Sequence, residues 1–355
     1  GPGAPHLAVS GNHASLPAPG AERPASAGCL PRRFSGLSAR AGSCYACGAA
    51  PLILNTSRRM TEDNSRRTEP PAPRVHIVTL NWENEPVTAR LLAALRELRY
   101  SCRETVVVDN GSADGSADRL AAAFPEAAVI RSGRNLGFGA GNNLAIRRAL
   151  EAGADFVWLI NNDARPAPDA LDALVRAAEA APRAGAVGAA VYHEDRPGDL
   201  QAWGGGTVAR WLGWARLATR PGAAVEYITG TSMLLRCAAL REAGLFDERF
   251  FLYWEDAELC ARLRRAGWEM AVAGDAKVWH AASSTTGRNA ELRMFHITRS
   301  LALYLGSCSR TPGAALLAAT LFQTSGKLLR GNRAAARGAW LGRRAGLQEL
   351  RGGRA

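Results

Sequence analysis

From residue 74 the chain alternates between two hydrophobic periods. Val75-His76-Ile77-Val78-Thr79-Leu80 is apolar and β-branched and predicts a strand, closed by the polar turn Asn81-Trp82-Glu83-Asn84. Pro86 marks a helix start, and Val87, Leu91, Leu92, Leu95 and Leu98 fall on one face of a helix over 87–99. The same alternation repeats. Strands are predicted at 104–108, 128–131 and 156–160, and helices at 116–124 and from about 140 to 152. Phe156 to Ile160 is unbroken apolar sequence, which fits a strand buried on both faces. Strands alternating with helices of this length predict an α/β fold with a doubly wound, mostly parallel, Rossmann-like sheet flanked by helices. Such sheets bind ligands beyond the carboxyl ends of their strands, so Asn161-Asn162-Asp163 should stand at the mouth of a site.

The pattern changes at both ends. Residues 1–73 are rich in Gly, Ala, Pro, Ser and Arg, lack a sustained period, and are expected to be a disordered leader. The natural protein is expected to start near Met60; a native peptide from residues 20–50 would overturn that. Residues 74–288 are expected to be the catalytic domain, and 289–355 a basic helical extension. In the extension, Met294, Ile297, Leu301, Tyr304 and Leu305 form one stripe, and Ala314 to Phe322 is a shorter apolar run. The segment from Trp203-Gly204-Gly205-Gly206 through Trp211 and Trp214 reads as a mobile loop whose tryptophan faces suit sugar rings and lipid interfaces alike.

Composition sharpens this picture. The chain has 355 residues and a formal net charge of +12. The basicity lies in the ends: residues 288–355 hold 12 Lys+Arg against 2 Asp+Glu. A basic amphipathic end fits peripheral docking on the inner face of an anionic plasma membrane, and it equally fits a helical appendage packed on the catalytic domain. No nucleic-acid partner is expected. The 7 cysteines are odd in number and irregular in spacing, so no disulfide framework is expected and a cytoplasmic location is favoured. Cys44 and Cys47 have metal-ligand spacing but no second pair nearby, so no structural zinc is expected. No run reaches the roughly 18 apolar residues of a membrane span.

Gly137-Phe138-Gly139-Ala140-Gly141 is not a dinucleotide fingerprint: its third glycine is one position early and it follows the third strand, not the first. Arg134 upstream and a helix N-terminus downstream favour anion contact. Taken with Val78-Thr79-Leu80-Asn81-Trp82, Val107-Val108-Asp109-Asn110-Gly111-Ser112 and Leu159-Ile160-Asn161-Asn162-Asp163, the run Arg134-Asn135-Leu136-Gly137-Phe138-Gly139-Ala140-Gly141-Asn142-Asn143 resembles glycosyltransferase family 2, in its bacterial rhamnosyltransferase-like branch. Gly230 to Arg236, Gly244 to Arg262 (around Trp254-Glu255-Asp256) and Val278-Trp279-His280-Ala281 continue the resemblance in the right order.

The resemblance implies a GT-A fold and an inverting enzyme that moves a sugar, rhamnose by analogy, from a thymidine- or uridine-diphosphate sugar to a hydroxyl of a cell-envelope glycan or lipid-linked acceptor. Asp256 would be the general base, with Glu255 orienting the acceptor. Thr79, Asn81, Asp109, Asn110, Ser112, Arg134, Asn135, Gly137, Asn142, Asn162 and Gly230 would bind the nucleotide sugar. Asp163 and His280 would hold Mg²⁺ or Mn²⁺, hard cations that suit oxygen ligands and a diphosphate leaving group. The family's metal motif is Asp-x-Asp; here Asn161 stands at its first position, which weakens the protein's hold on the metal. Arg264-Arg265-Ala266-Gly267-Trp268 does not match the Gln-x-x-Arg-Trp signature of processive synthases, so a single addition is expected.

Each residue also has a plainer reading. Asp163 alone fits a turn carboxylate, Asp109 a helix cap, and Arg134 a surface arginine. Glu255 and Asp256 fit the positive end of a helix, and His280 a structural hydrogen bond. A second class of function stays open: a sugar-nucleotide binder that has lost turnover along with the missing acid. A nucleotidyltransferase would need a Gly- and Lys/Arg-rich loop after the first strand, and residues 81–85 are not one.

Overall fold

The computed structural model describes residues 71–281, 289–309 and 311–352. The expected leader up to residue 70, the Cys44–Cys47 pair and residues 282–288 lie outside them.

The first half follows the predicted alternation: β1 (Val75–Asn81), α1 (Glu85–Arg96), β2 (Arg103–Asp109), α2 (Ser116–Ala123), β3 (Ala127–Arg131), α3 (Phe138–Glu151) and β4 (Phe156–Ile160). There follow β5 (Ala164–Pro166), α4 (Ala170–Ala180), β6 (Ala184–His193), β7 (Leu200–Trp203), β8 (Gly205–Ala209), β9 (Trp214–Leu217), β10 (Tyr227–Ile228), β11 (Ser232–Arg236), α5 (Cys237–Ala243), α6 (Glu255–Arg265) and β12 (Glu269–His280). Three helices close the chain: α7 (Ala290–Cys308), α8 (Pro312–Leu329) and α9 (Arg333–Gly352).

The main sheet runs β3-β2-β1-β4-β11-β6-β12-β5, with β7 paired to β6. β1, β2, β3 and β4 are mutually parallel, as are β6 and β12. Between these blocks β11 runs antiparallel to both β4 and β6. Chain geometry explains the reversal. The chain reaches β11 at the carboxyl end of β4, where the Asn161 N–H donates to the Thr231 carbonyl (3.1 Å). It must therefore run back along β4, and in doing so it brings Gly230 and Thr231 to the ligand-binding edge.

Strand alternation divides the core. Val78, Val106, Val108, Val157 and Leu159 face one side, with Ile146 of α3 and Leu259 and Leu263 of α6. Ile77, Val107, Phe156 and Trp158 face the other, with Leu91 and Leu95 of α1 and Leu171 and Leu174 of α4. Trp158 is fully buried and its indole N–H donates to Ser232 Oγ (3.0 Å), tying β4 to β11. Each such large apolar side chain contributes about 1.5–3 kcal/mol by leaving water.

Two expectations change. The glycine- and tryptophan-rich segment is not a loop: β10, β8 and β9 form a small antiparallel sheet. Its glycines allow close backbone approach, because a Cβ on Gly205 would overlap the Tyr227 carbonyl and one on Gly206 the Arg216 carbonyl. The α7 stripe faces inward: Leu301, Tyr304 and Leu305 are buried with α6 and β10 in one core, while Met294 and Ile297 pack against α9. Among the described residues no helix is long and apolar enough to cross a membrane.

Candidate active site

The carboxyl ends of β1, β2, β4 and β12 and the amino end of β11 lie along one edge of the sheet. This edge gathers Asn81, Asp109, Asn161 to Asp163, Thr231 and His280.

Asp109 is buried at the end of β2. Its Oδ1 accepts from Asn81 Nδ2 (3.0 Å) and its Oδ2 from the Ser112 N–H (3.1 Å). It closes the turn 109–112 and is not the cap of α2, which starts from Gly115. Each oxygen keeps a lone pair for a base N–H or a ribose hydroxyl. Asn81 is an organiser: its amide also donates to Ser112 Oγ and Ser116 Oγ, and its Oδ1 accepts from Thr88 Oγ1 (2.8 Å). Thr79 is buried and its Oγ1 has no protein partner. Asn162 donates to Thr88 Oγ1 (3.0 Å), which links β4 to the same network.

The glycine run is held from below by Asn110. Its Nδ2 donates to the Gly137 carbonyl (3.0 Å) and to Asn135 Oδ1 (3.2 Å), while its Oδ1 accepts from the Leu136 N–H (3.0 Å). Gly137 has φ +82°, and a Cβ there would overlap the Phe251 carbonyl, so glycine is required. Asn142 is buried and turned back on its own helix, donating to the Phe138 carbonyl (3.0 Å). Arg134 is exposed; its carbonyl accepts from Ser132 Oγ (2.6 Å), and its guanidinium makes no hydrogen bond or ion pair among the described residues, which leaves it open to an anion.

Facing these residues, α6 begins at Glu255. The two residues before it, Tyr253 (φ +68°) and Trp254 (φ +70°), are both left-handed, a conformation costing about 1–3 kcal/mol each for residues with a Cβ. This sharp entry separates the two acids. Asp256 accepts from the Gly230 N–H at Oδ2 (3.1 Å) and from the Ala257 N–H at Oδ1 (2.8 Å). Burial pushes its pKa up and these amide hydrogen bonds oppose the rise. Glu255 points inward and its Oε2 has no partner. Burial, then the Asp256 charge, holds its pKa well above its ordinary value. The two sides meet where the Phe138 N–H donates to the Phe251 carbonyl (2.8 Å).

His280 Nε2 stands 3.0 Å from Asp163 Oδ1. That is about the spacing of two neighbouring ligands on an octahedral cation with bonds near 2.1 Å, so the pair fits one divalent ion. Gln201 on β7 places Oε1 2.9 Å from His280 Nδ1: with the proton on Nδ1 the Nε2 lone pair is free for a cation, and with it on Nε2 the ring donates directly to Asp163. Asn161 Nδ2 lies 3.5 Å from the same Nε2. No group of three or more His, Cys, Asp or Glu that could hold a metal occurs among the described residues, so the remaining ligands would have to come from diphosphate and water. Gln201 lies in none of the motifs, and only its position on a strand beside β6 points to a histidine partner; Tyr253 and Trp254 lie within the Gly244–Arg262 motif, but their left-handed backbone is not legible from it.

The chain is 31% identical over 241 residues to the N-acetylglucosaminyl-diphospho-decaprenol L-rhamnosyltransferase of Mycobacterium tuberculosis, covering 60% of this chain and 78% of that protein. It is 34% identical over 190 residues to galactofuranosyltransferase GlfT1 of the same organism, covering 50% and 60%. The mannosyltransferase PcManGT of Pyrobaculum calidifontis, solved with GDP-Man and Mn²⁺, has a TM-score of 0.50 at 18% identity over 79% of this chain and 86% of that one. GalNAc-T7, solved with UDP, GalNAc and Mn²⁺, has a TM-score of 0.53 at 12% identity over 69% and 51%. These likenesses show a GT-A fold. Residues 72–296 match the model of the Glycosyltransferase like family 2, and the chain belongs to that family of glycosyltransferases.

Proposed function

We propose that the chain is an inverting, metal-assisted glycosyltransferase that adds a single sugar, rhamnose, from a thymidine-diphosphate sugar to a hydroxyl of a lipid-linked cell-envelope acceptor. The observation that carries the reading is the meeting, at one sheet edge, of a cation-spaced Asp163–His280 pair with an Asp256 carboxylate that has free lone pairs. The donor and acceptor come from the 31% identity to the rhamnosyltransferase.

Asp256 takes the proton of the acceptor hydroxyl as its oxygen attacks the anomeric carbon. The new C–O bond forms on the face opposite the diphosphate, the bond to the diphosphate breaks, and configuration inverts. A divalent cation held by Asp163 and His280 would neutralise charge on the departing diphosphate. Asp109 holds the base or ribose, Arg134 faces the diphosphate, and Glu255 lies buried beside Asp256 at the start of α6. Incubating the protein with thymidine-diphosphate rhamnose, Mn²⁺ and a lipid-linked acceptor, then assigning the product anomer by NMR, tests this. Retained configuration, or full turnover by Asp256→Asn, overturns it.

The second reading, a sugar-nucleotide binder without turnover, is favoured by Asn161 in place of an acid. Donor-dependent thermal stabilisation without transfer to any acceptor would support it.

A further inference from the structure

Helix α8 is apolar on both faces. Its inward face mixes Ala315, Leu316 and Ala319 with Thr320, Gln323 and Thr324, whereas Leu321, Phe322, Leu328 and Leu329 point outward, Leu329 being 89% exposed. The inward polarity has a cause. Gln323 Nε2 donates to the Gly213 carbonyl (2.7 Å), clamping the tip of the β8–β9 hairpin onto α8. Gly213 sits at φ +63° with Leu301, Gln323 and Ala319 around it, so the tip lies tight on the helix. Thr320 Oγ1 returns to the Leu316 carbonyl (2.6 Å). The outward apolarity has no such cause within the described residues: a face that is apolar except for Ser325 meets solvent.

The clamped hairpin extends that face. Trp211 and Trp214 are 59% and 48% exposed, and Trp214 stands edge-on to Phe322 with ring centroids 5.1 Å apart. Two elements distant in sequence thus present one surface of Leu, Phe and Trp, larger than the scattered apolar residues of an ordinary exterior. Its border is cationic. α8 contains no acidic residue, and Lys327, Arg330 and Arg333 follow at its end. Next to Trp211, Arg210 joins Arg264, Arg265, Ser307 and Ser309 around a cavity of about 450 Å³, where guanidinium and hydroxyl groups suit a phosphate.

We propose that this surface docks the protein on an anionic lipid bilayer, with α8 and the hairpin tip entering the boundary between headgroups and acyl chains and the Arg210 cavity taking a headgroup phosphate. Charge selects this occupant over a second copy. Residues 288–355 carry 12 Lys+Arg against 2 Asp+Glu, so pairing the face with itself would bring like charges together, whereas anionic headgroups complement them. Exposed tryptophans beside arginines are the composition of an interfacial anchor. Docking also has a direction. β8 pairs with β10, which runs into Gly230, the donor to Asp256. The hairpin that meets the bilayer is therefore one strand from the acceptor side of the site. The proposal goes beyond the assigned transfer and rests on none of its sugar chemistry.

Flotation of the full chain tests it, using phosphatidylcholine vesicles and vesicles with added phosphatidylglycerol. The wild type is expected to float with the anionic vesicles only and to be released by high salt. The triple substitution Leu321→Ser, Leu328→Ser, Leu329→Ser should lower partitioning by at least about tenfold. Arg264→Gln with Arg265→Gln should weaken binding and flatten its salt dependence. Circular dichroism and the melting temperature keep loss of fold distinct from loss of docking, and donor hydrolysis without vesicles keeps failure of docking distinct from failure of the transferase reading. A wild type that never floats, that floats equally with neutral vesicles, or that forms a dimer broken by the triple substitution overturns the proposal.

Discussion

His280 Nε2 and Asp163 Oδ1 stand 3.0 Å apart although β12 and β4 share no hydrogen bonds. The short strand β5 makes the link: Ala164, next to Asp163, is the register partner of His280. The pair is thus set by backbone pairing, and Gln201 turns the ring from behind.

The first prediction concerns this pair. Mn²⁺ with a nucleoside diphosphate should raise the melting temperature of the wild type, while Asp163→Asn and His280→Ala should lose that increment. Gln201→Ala should keep the ligands but weaken Mn²⁺ about 10–100-fold, read from the metal dependence of donor turnover. Unchanged Mn²⁺ dependence in Gln201→Ala would mean that the glutamine does not orient the ring.

Asp256→Asn should lower transfer about 10²–10⁴-fold while donor affinity stays the same, measured by kcat against calorimetric donor binding. Because burial raises the Asp256 pKa, the acidic limb of the pH–rate profile should lie above the ordinary Asp range and activity should fall as pH drops through it. A limb at the ordinary Asp position would contradict the assigned base.

Much of this was legible along the chain because strand ends have a simple signature. Phe156–Ile160 followed by Asn161-Asn162-Asp163 reads as a buried strand ending in a polar turn, and the structure has that strand buried along its whole length. The reversal at β11 was not legible. Parallel and antiparallel buried strands have the same apolar pattern, and only the arrival point of the chain decides between them. α8 escaped for a related reason: a helix apolar on nearly every side does not reveal which side faces in, and the hydrogen bond from Gln323 to Gly213 decides it. The left-handed entry at Tyr253 and Trp254 runs against local preference, so no propensity argument finds it.

Asn110 should act through the loop it holds. Asn110→Ala removes its hydrogen bonds to Asn135, Leu136 and Gly137 and leaves backbone groups at the glycine run short of partners, at about 1–3 kcal/mol per buried group. Since the loop lies on the donor side, the KM for donor should rise more than kcat falls. An effect on kcat alone would place the loop's role in the chemistry instead.

His76 provides the test of acid stability. It is fully buried on β1, neither ring nitrogen makes a hydrogen bond, and Nε2 lies 3.6 Å from a Glu104 oxygen. Burial lowers its pKa; Glu104 pulls the other way, and Arg148 and Arg74 add to the lowering. The unfolded chain therefore binds a proton at a higher pH than the folded one. Stability is complete above the ordinary histidine value of 6.5 and is lost as pH falls from there toward the lowered folded value. His76→Val, which suits a buried strand and removes the titrating ring, should flatten that part of the profile in urea unfolding measured between pH 7.5 and pH 5 (about the window the histidine pKa defines). It should leave stability at pH 7.5 little changed, because no hydrogen bond is lost. An equal loss of stability on acidification in wild type and variant would assign the acid sensitivity to groups other than His76.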